Sequence, residues 1–435
     1  MIFQANIKDI SSTVKDFEVL CSYIAENKPL LTAKGDLGTK ACFELNTHMA
    51  YPESGAKKTD WMSKYSSISL YFLTAMSCGL LEPYPVKGQK FAVTISDAYM
   101  EFQKMNDFTK YLTLFLAWMR YADCEELYPN DISKAMGDAA IIDLAFERIR
   151  RLDKPALIER NEKYSIFMLD YDALQILMNH CPIITRSLRD FGIISFSQED
   201  AVKIDTYNHF IKQLYVTGLG IALSSACAAR RFTWVNVLEA TSIHLADDDD
   251  KAIKLYENDY ERNLPGSAGF FKPFLSCFPE NAIDTNAISR LLFPHTREVQ
   301  GNTVYEFKVQ LWRDCYRVIQ CRDNHTFDGF HLAIQKAFSF DNDHLYSFFM
   351  DGKKWSRRRI NSTDVQEPPY ANELCIGKAG LRVKQTFLYL FDFGDQWAFH
   401  ITLLSITENN TVPLHPQIVK SVGESPEQYP KFYEE

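Results

Sequence analysis

YLFDFGDQWAFHITL, residues 389–403, is apolar over most of its length yet holds Asp392, Asp395 and His400 at set offsets. Gly394 lies between the two aspartates, so the backbone turns or bulges there. The flanking pieces FLYLFDF (387–393) and HITLLSI (400–406) read as two strands joined across Gly394.

Outward from this pair, the pattern remains that of a sheet. VYEFKVQLW (304–312) alternates, and CYRVIQC (315–321) follows after Arg313-Asp314, which makes a hairpin. Thr326 or Asp328 is placed to cap a helix whose apolar face carries Phe330, Ile334, Ala337 and Phe338. HLYSFFM (344–350) is a further strand. Strand, strand, helix, strand is a β-grasp-like opening. The tail KSVGESPEQYP (420–430) is punctuated by Pro and Gly and is expected to wrap the surface.

Four pieces in this order carry a family resemblance: 327–340 (FDGFHLAIQKAFSF), 343–348 (DHLYSF), 392–401 (DFGDQWAFHI) and 423–429 (GESPEQY). Together they resemble the plasmid pRiA4b open-reading-frame-three-like family, whose relatives include TnpR-like passenger proteins of insertion elements. The resemblance covers about residues 303–430. It implies an α+β domain behind a helical N-terminal extension, and it brings no established activity with it. D-F-G here is not that of protein kinases, because no Gly-rich loop, V-A-I-K strand or H-R-D-L loop accompanies it.

The N-terminal part reads as mostly helical. Ser12 and Thr13 are placed to cap a helix through Val14, Phe17, Leu20 and Ile24, a second helix starts near Asp36 or Leu37, and a third covers 66–77. CGLLEPYPVKGQKFAVT (78–94) then reads as a hairpin with its polar tip at 86–89. Three helices and a hairpin is the order of a winged helix. A weaker echo follows, with wing strands at 191–196 and 201–204, a tip at 198–200 and a long helix at 206–230. The expected fold class is therefore α+β. Residues 1–150 form a helical, winged-helix-like region. Residues 151–295 form a degenerate second unit plus a linker at 264–274, and 296–435 form the α+β domain. The aspartate run at 247–250 has a functional reading as a cation site, but reads better as a solvated loop before a helix that begins at Lys251, because metal ligands are spaced around a turn.

Bulk numbers narrow the function classes. With 435 residues the chain exceeds one ordinary core. Net charge is −9; from Arg297 onward there are 16 Lys/Arg against 18 Asp/Glu, about −2, so the acidity sits mainly in the first 296 residues. Dominant phosphate tracking is thereby disfavoured, although a local basic patch is not. Ten scattered cysteines without a C-x-x-C pair argue against zinc knuckles and against a disulfide framework. The uncharged runs 66–81 and 213–229 are short of the roughly 20 apolar residues of a membrane span. No signal peptide is expected at the start, MIFQANIKDISS, and the expected location is cytoplasmic with reduced thiols.

Each chemical candidate has a working and a structural reading. Asp392 and Asp395 would be held near His344 and His400 to bind a divalent metal or move a proton. Alternatively they accept backbone N–H groups in a tight turn; of the two, Asp395 is expected to cap the turn and His344 to face a pocket. His325 and His331 are expected on a solvated helix surface. Trp397 is a pocket floor or a core tryptophan with a satisfied N–H. Lys353, Lys354, Arg357, Arg358 and Arg359 are five cations in seven residues around Trp355: a phosphate loop with an aromatic platform, or a solvated loop. No G-x-S-x-G, G-x-x-x-x-G-K-[ST] or H-E-x-x-H occurs. Gly218 and Gly220 are read as mid-helix, without the preceding strand of a dinucleotide site.

These readings point to a non-catalytic binding or adaptor protein that recognises a protein or nucleic-acid partner, with no membrane. The alternative is a metal-dependent hydrolase acting on a phosphodiester or nucleotide. There Asp392 and Asp395 are ligands, His344 or His400 a ligand or base, and Lys354 or Arg358 a phosphate clamp. Only that alternative calls for a divalent metal.

Overall fold

The computed structural model describes residues 3–86, 90–121, 127, 138–162, 172–197, 199–203, 209–230, 268–292, 299, 301–350, 352, 354–355, 359–365, 369–381, 383–408 and 415–429. The protein is α+β, and its contacts divide it into two compact units, 1–292 and 293–435. The hairpin tip at 87–89, the aspartate run at 247–250 and the cations Lys353, Arg357 and Arg358 lie outside the described residues.

The first unit opens with α1 (Ile7–Asn27), α2 (Thr39–Asn46) and α3 (Ser66–Ser77), then the antiparallel strands β1 (Leu81–Val86) and β2 (Lys90–Ile95). Helix α1 starts earlier than Ser12 or Thr13. Asn6 caps it by accepting the Lys8 N–H, and the Asp9 carboxylate accepts the Asn6 N–H in return, a capping box. Thr13 is buried inside the helix and donates to the Asp190 carbonyl at 2.6 Å. Next come α4 (Asp97–Gln103), α5 (Asp107–Tyr121), α6 (Asp138–Arg150), β3 (Ala156–Glu159), α7 (Ala173–His180) and α8 (Pro182–Asp190).

The segment after α8 departs from the expected wing. It holds β4 (Ile194–Ser195), β5 (Ala201–Lys203), β6 (His209–Ile211), β7 (Gln213–Val216) and α9 (Gly218–Arg230). Strand β4 pairs with β7, and β5 pairs with β6, so β4 and β5 do not form one hairpin with each other. Thr217 draws the strands together, its N–H and hydroxyl reaching the carbonyls of Ile193 and Gly192. Residues 209–211 and 213–216 are strand where a helix is expected, in keeping with their β-branched and aromatic content. A strand therefore does precede Gly218 and Gly220. The space over those glycines is nonetheless taken: a Cβ at Gly220 would stand 2.1 Å from the Ile193 carbonyl oxygen, and one at Gly218 would strike Phe3. They serve close packing. Helix α10 (Ala268–Leu275) buries Phe270, Phe271 and Phe274 where a linker is expected, and α11 (Thr285–Leu292) ends the unit.

Phe191 anchors the core of this unit. Trp118 stacks on it at 4.8 Å, Tyr71, Tyr111 and Phe115 meet it edge-on, and the Tyr111 hydroxyl donates to its carbonyl at 2.5 Å. Beside it lies a buried ionic cluster. Arg189 contacts Asp190 at 2.9 Å, Ser67 donates to the other Asp190 oxygen at 2.5 Å, and the guanidinium lies 4.1 Å from the Tyr51 ring centre. Asp16, equally buried, has both oxygens on one donor, the Ala50 N–H.

The second unit is a seven-stranded antiparallel sheet. Its strands are β8 (Thr303–Trp312), β9 (Cys315–Arg322), β10 (Tyr346–Phe349), β11 (Arg359–Asn361), β12 (Thr386–Phe391), β13 (Trp397–Glu408) and β14 (Gln417–Val422), in spatial order β11-β10-β12-β13-β8-β9-β14. The third strand of the opening, β10, thus joins three places away from β8, with β12 and β13 between them. Helix α12 (Phe327–Phe338) packs on one face, capped by Thr326, whose hydroxyl accepts the Gly329 N–H. Phe307, Val309, Phe330, Ile334, Phe348, Tyr389, Phe399 and Ile401 fill the layer between. Burying some twenty such side chains at roughly 1.5–3 kcal/mol each is the main driving term.

The tail contributes an edge strand instead of only wrapping the surface. Arg317 holds it: the guanidinium, over the Phe338 ring, donates to Ala337, Val422 and Gly423 carbonyls and to the Ser425 hydroxyl. Gly423 has φ +75°, and a Cβ there would lie 2.2 Å from the Asp314 carbonyl oxygen. Among the described residues no helix is long and apolar enough to cross a membrane.

Asp16 makes stability pH-dependent. Desolvation is the largest influence and pushes its pKa from 3.8 up to about 7, against the Ala50 hydrogen bond; nearby Asp190 pushes the same way. The folded state then holds this proton more tightly than the unfolded chain. Its stabilising contribution is complete below about pH 4 and is lost as pH rises to about 7. Asp16→Asn should flatten that window, so that the variant gains on the parent between pH 4 and 7 in urea titrations. A parallel profile for the two proteins would refute this assignment.

Candidate functional site

The turn between β12 and β13, residues 392–396, is organised by Asp392. Its Oδ1 accepts the N–H of Gly394 at 2.8 Å and of Asp395 at 3.2 Å, and its own carbonyl accepts the Gln396 N–H. This is an Asx turn, and it suits an aspartate at φ +54°, a left-handed conformation that Asp tolerates. Asp392 is buried, whereas Asp395 is exposed and contributes only its N–H. The capping role expected of Asp395 belongs to Asp392, because an Asx turn links residue i to the N–H two ahead.

Of the four candidate catalytic residues, two meet. His344 Nε2 lies 3.4 Å from Asp392 Oδ2 and 3.8 Å from Asp343 Oδ1. Its ring stands edge-on to Phe391 and Tyr429. The Tyr429 hydroxyl reaches both Asp343 oxygens at 2.7–2.8 Å, which keeps that carboxylate below its usual range. Gln428 meets the Asp341 N–H and carbonyl, so the tail lies beside the pair. His344 is exposed. His400 is exposed too, but on the opposite face: it pairs with Leu388 in the register, while Phe399 and Ile401 point to the core. Among the described residues no three His, Cys, Asp or Glu side chains are placed to share a metal ion.

His331, expected on a solvated helix surface, is fully buried on α12. Its ring stacks on Tyr346 at 3.7 Å. Gln335 Nε2 donates to the Tyr389 hydroxyl at 2.6 Å, so that hydroxyl points its proton at His331 Nδ1, 2.7 Å away. The remaining ring proton then sits on Nε2 and meets Asn342 Oδ1 at 2.7 Å. Burial lowers the His331 pKa to about 4, so the ring stays neutral. The signal was available: His331 is four residues after Phe327 and three before Ile334, inside the apolar stripe. His325 accepts the Arg322 N–H at Nδ1.

The face away from α12 carries a small apolar cluster, Phe349, Leu388 and Leu390, with Phe393 and Ala398 against it. Trp355 lies over its edge. Its ring meets Phe393 at 5.1 Å and Phe349 at 6.0 Å, both edge-on, and it remains 48% exposed. Its φ of +64° is unusual for a bulky residue, a conformation imposed by its surroundings. Lys354 donates to Gln396 Oε1 at 3.0 Å, which joins this loop to the Asp392 turn. Arg359 is half-buried in β11. Trp397 packs against Phe340 at 4.9 Å as a core residue; its buried indole N–H has no partner among the described residues, contrary to the expectation of a satisfied one.

Residues 303–429 match the model of a family described as plasmid pRiA4b ORF-3-like protein. Among solved structures, a protein of unknown function from Methanosarcina mazei is similar at 23% identity. That match covers 28% of this chain and 71% of the other, with a TM-score of 0.24. No curated protein matches the chain.

The turn predicts a clear asymmetry between its aspartates. Asp392→Ala should cost on the order of 1–3 kcal/mol, since two N–H groups lose their acceptor in a strained turn. Asp392→Asn should cost much less, because Asn accepts the same bonds and tolerates the same φ. Asp395→Ala should stay within about 0.5 kcal/mol. Thermal melts of the three variants decide; the reverse order for Asp392 and Asp395 would refute the geometry given above.

Proposed function

We propose that the C-terminal domain is a non-catalytic recognition module, and that the protein acts as a binding or adaptor protein. One observation carries the reading: the partly exposed Trp355 is held against Phe349 and Phe393, and the adjacent Lys354 is tied through Gln396 to the turn on which Asp392 spends one of its carboxylate oxygens. A rigid aromatic with two ordered neighbours offers contact area at low entropic cost. A nucleic acid or a protein segment would engage that face. The placement of His400 on the face opposite His344, and the exposure of Asp395, weigh against a four-residue hydrolytic centre.

The test is direct. Full-length protein is incubated with bis(p-nitrophenyl) phosphate and with nucleoside triphosphates, each with Mg²⁺, Mn²⁺ or Zn²⁺, and its melting temperature is followed. No turnover above buffer and no metal-dependent stabilisation is the expected result. Metal-dependent hydrolysis that disappears in both His344→Ala and Asp392→Asn would overturn the reading and favour the hydrolase.

A further inference from the structure

We infer that the outer face of the C-terminal sheet binds single-stranded nucleic acid, with Tyr316, Lys308 and Lys420 at one end and Trp355 at the other. This deepens the recognition-module reading and rests on it. The ladder register sets the residues side by side although they are far apart in sequence. Leu388, His400, Gln310 and Tyr316 form one row across β12, β13, β8 and β9. Thr402, Lys308, Val318 and Lys420 form the next row, across β13, β8, β9 and β14. All lie on the face opposite α12, because Phe307, Val309, Arg317, Ile319, Phe399 and Ile401 take the other side.

The charge on this face is placed unusually. Lys308 Nζ lies 4.6 Å and Lys420 Nζ 5.6 Å from the centre of the same Tyr316 ring. Neither ammonium has an ion pair among the described residues. The nearby carboxylate in the row beyond, Glu306, is engaged by the Gln320 amide at 2.7 Å. Two cations gathered on one ring repel each other, and an anion between them would relieve that repulsion. Gln310 and the exposed His400 add hydrogen-bonding groups in the adjacent row, so the surface is polar and cationic where Tyr316 stands and aromatic where Trp355 stands.

Dimensions favour a strand of nucleotides over a single phosphate. From β10, under Trp355, to β14 there are five strand spacings, about 24 Å at ~4.8 Å each. A sheet face with separated rings and cations suits unpaired bases, which expose their faces for stacking, and suits a duplex poorly. The protein is acidic overall at −9, so long-range steering is weak and contact is local.

The experiment is a fluorescence-anisotropy titration of the full-length protein with labelled oligonucleotides of about 12 residues, within the range of sheet-based single-strand binders. Single-stranded DNA, single-stranded RNA, the matching duplex and a poly-glutamate peptide are compared over a salt series. Single strands should bind, with log K falling against log salt at a slope of about −1.4 to −2, the value for two to three phosphate contacts. Lys308→Gln combined with Lys420→Gln should cut affinity about tenfold at moderate salt and flatten the slope by roughly 1.4. Tyr316→Ala and Trp355→Ala should each weaken binding about tenfold with little change of slope. Lys308→Arg with Lys420→Arg should retain binding, and melts of all variants confirm folding. Absence of single-strand binding, unchanged affinity in the folded Gln variant, or preference for duplex or poly-glutamate overturns the inference. None of these results gives metal-dependent turnover, so failure here is distinct from failure of the recognition-module reading.

Discussion

A phenolic hydroxyl in the middle of an apolar layer must find partners, and much of the C-terminal domain follows from how Tyr389 finds them. Its strand β12 lies beneath α12, so the partners have to come from that helix: Gln335 donates to it and His331 accepts from it. An unpaired hydroxyl there would cost on the order of 1–3 kcal/mol. Satisfying it fixes the tautomer of His331 and leaves one N–H, which takes Asn342. Asn342 in turn positions the stretch before β10, and that stretch delivers His344 to Asp392. The pair of exposed His344 and buried Asp392 is therefore oriented by a buried relay, with the stacked Tyr346 ring preventing His331 from rotating away.

The two faces of the sheet divide the labour. The inner face is aromatic and dry, and it accounts for stability. The outer face has a small apolar cluster under Trp355 and, in the rows around Tyr316, carries mostly polar side chains, with Val318 among them. An antiparallel sheet can leave one face to solvent because alternation along each strand separates the two sets of side chains. The polar outer-face residues around Tyr316, such as Lys308, Gln310, His400 and Lys420, are then free of core-packing duties, which is what a recognition surface requires.

Much of the second unit was legible. Alternation in 304–312 and 315–321 marked β8 and β9 to within a residue or so, and the apolar stripe marked α12. In the first unit, α3 coincides with residues 66–77. What failed did so for physical reasons. Residues 206–217 are rich in apolar side chains, and a short apolar run does not distinguish helix from strand. Helix α10 was hidden by the Gly and Pro around it. β14 was missed because it is a lone edge strand, exposed along its length, with no hydrophobic period to show. At the site, two aspartates flanking one glycine look alike in sequence. Only the i to i+2 reach of an Asx turn separates Asp392 from Asp395. The nearness of Lys308 to Lys420 depends on register, which no local pattern encodes.

Arg317 has a consequence in the order of synthesis. It emerges from the ribosome with β9, but the Val422 and Gly423 carbonyls that receive its guanidinium follow 105 and 106 residues later. Until then a cation faces the growing aromatic layer with only the Ala337 and Tyr316 carbonyls to hold it. The nascent domain can collapse around Phe338 earlier, yet it cannot lock. Strand β14 acts as the latch, so a chain that stops before residue 422 would leave the Arg317 guanidinium without the Val422 and Gly423 carbonyls at the rim of its own core and mark itself as unfinished.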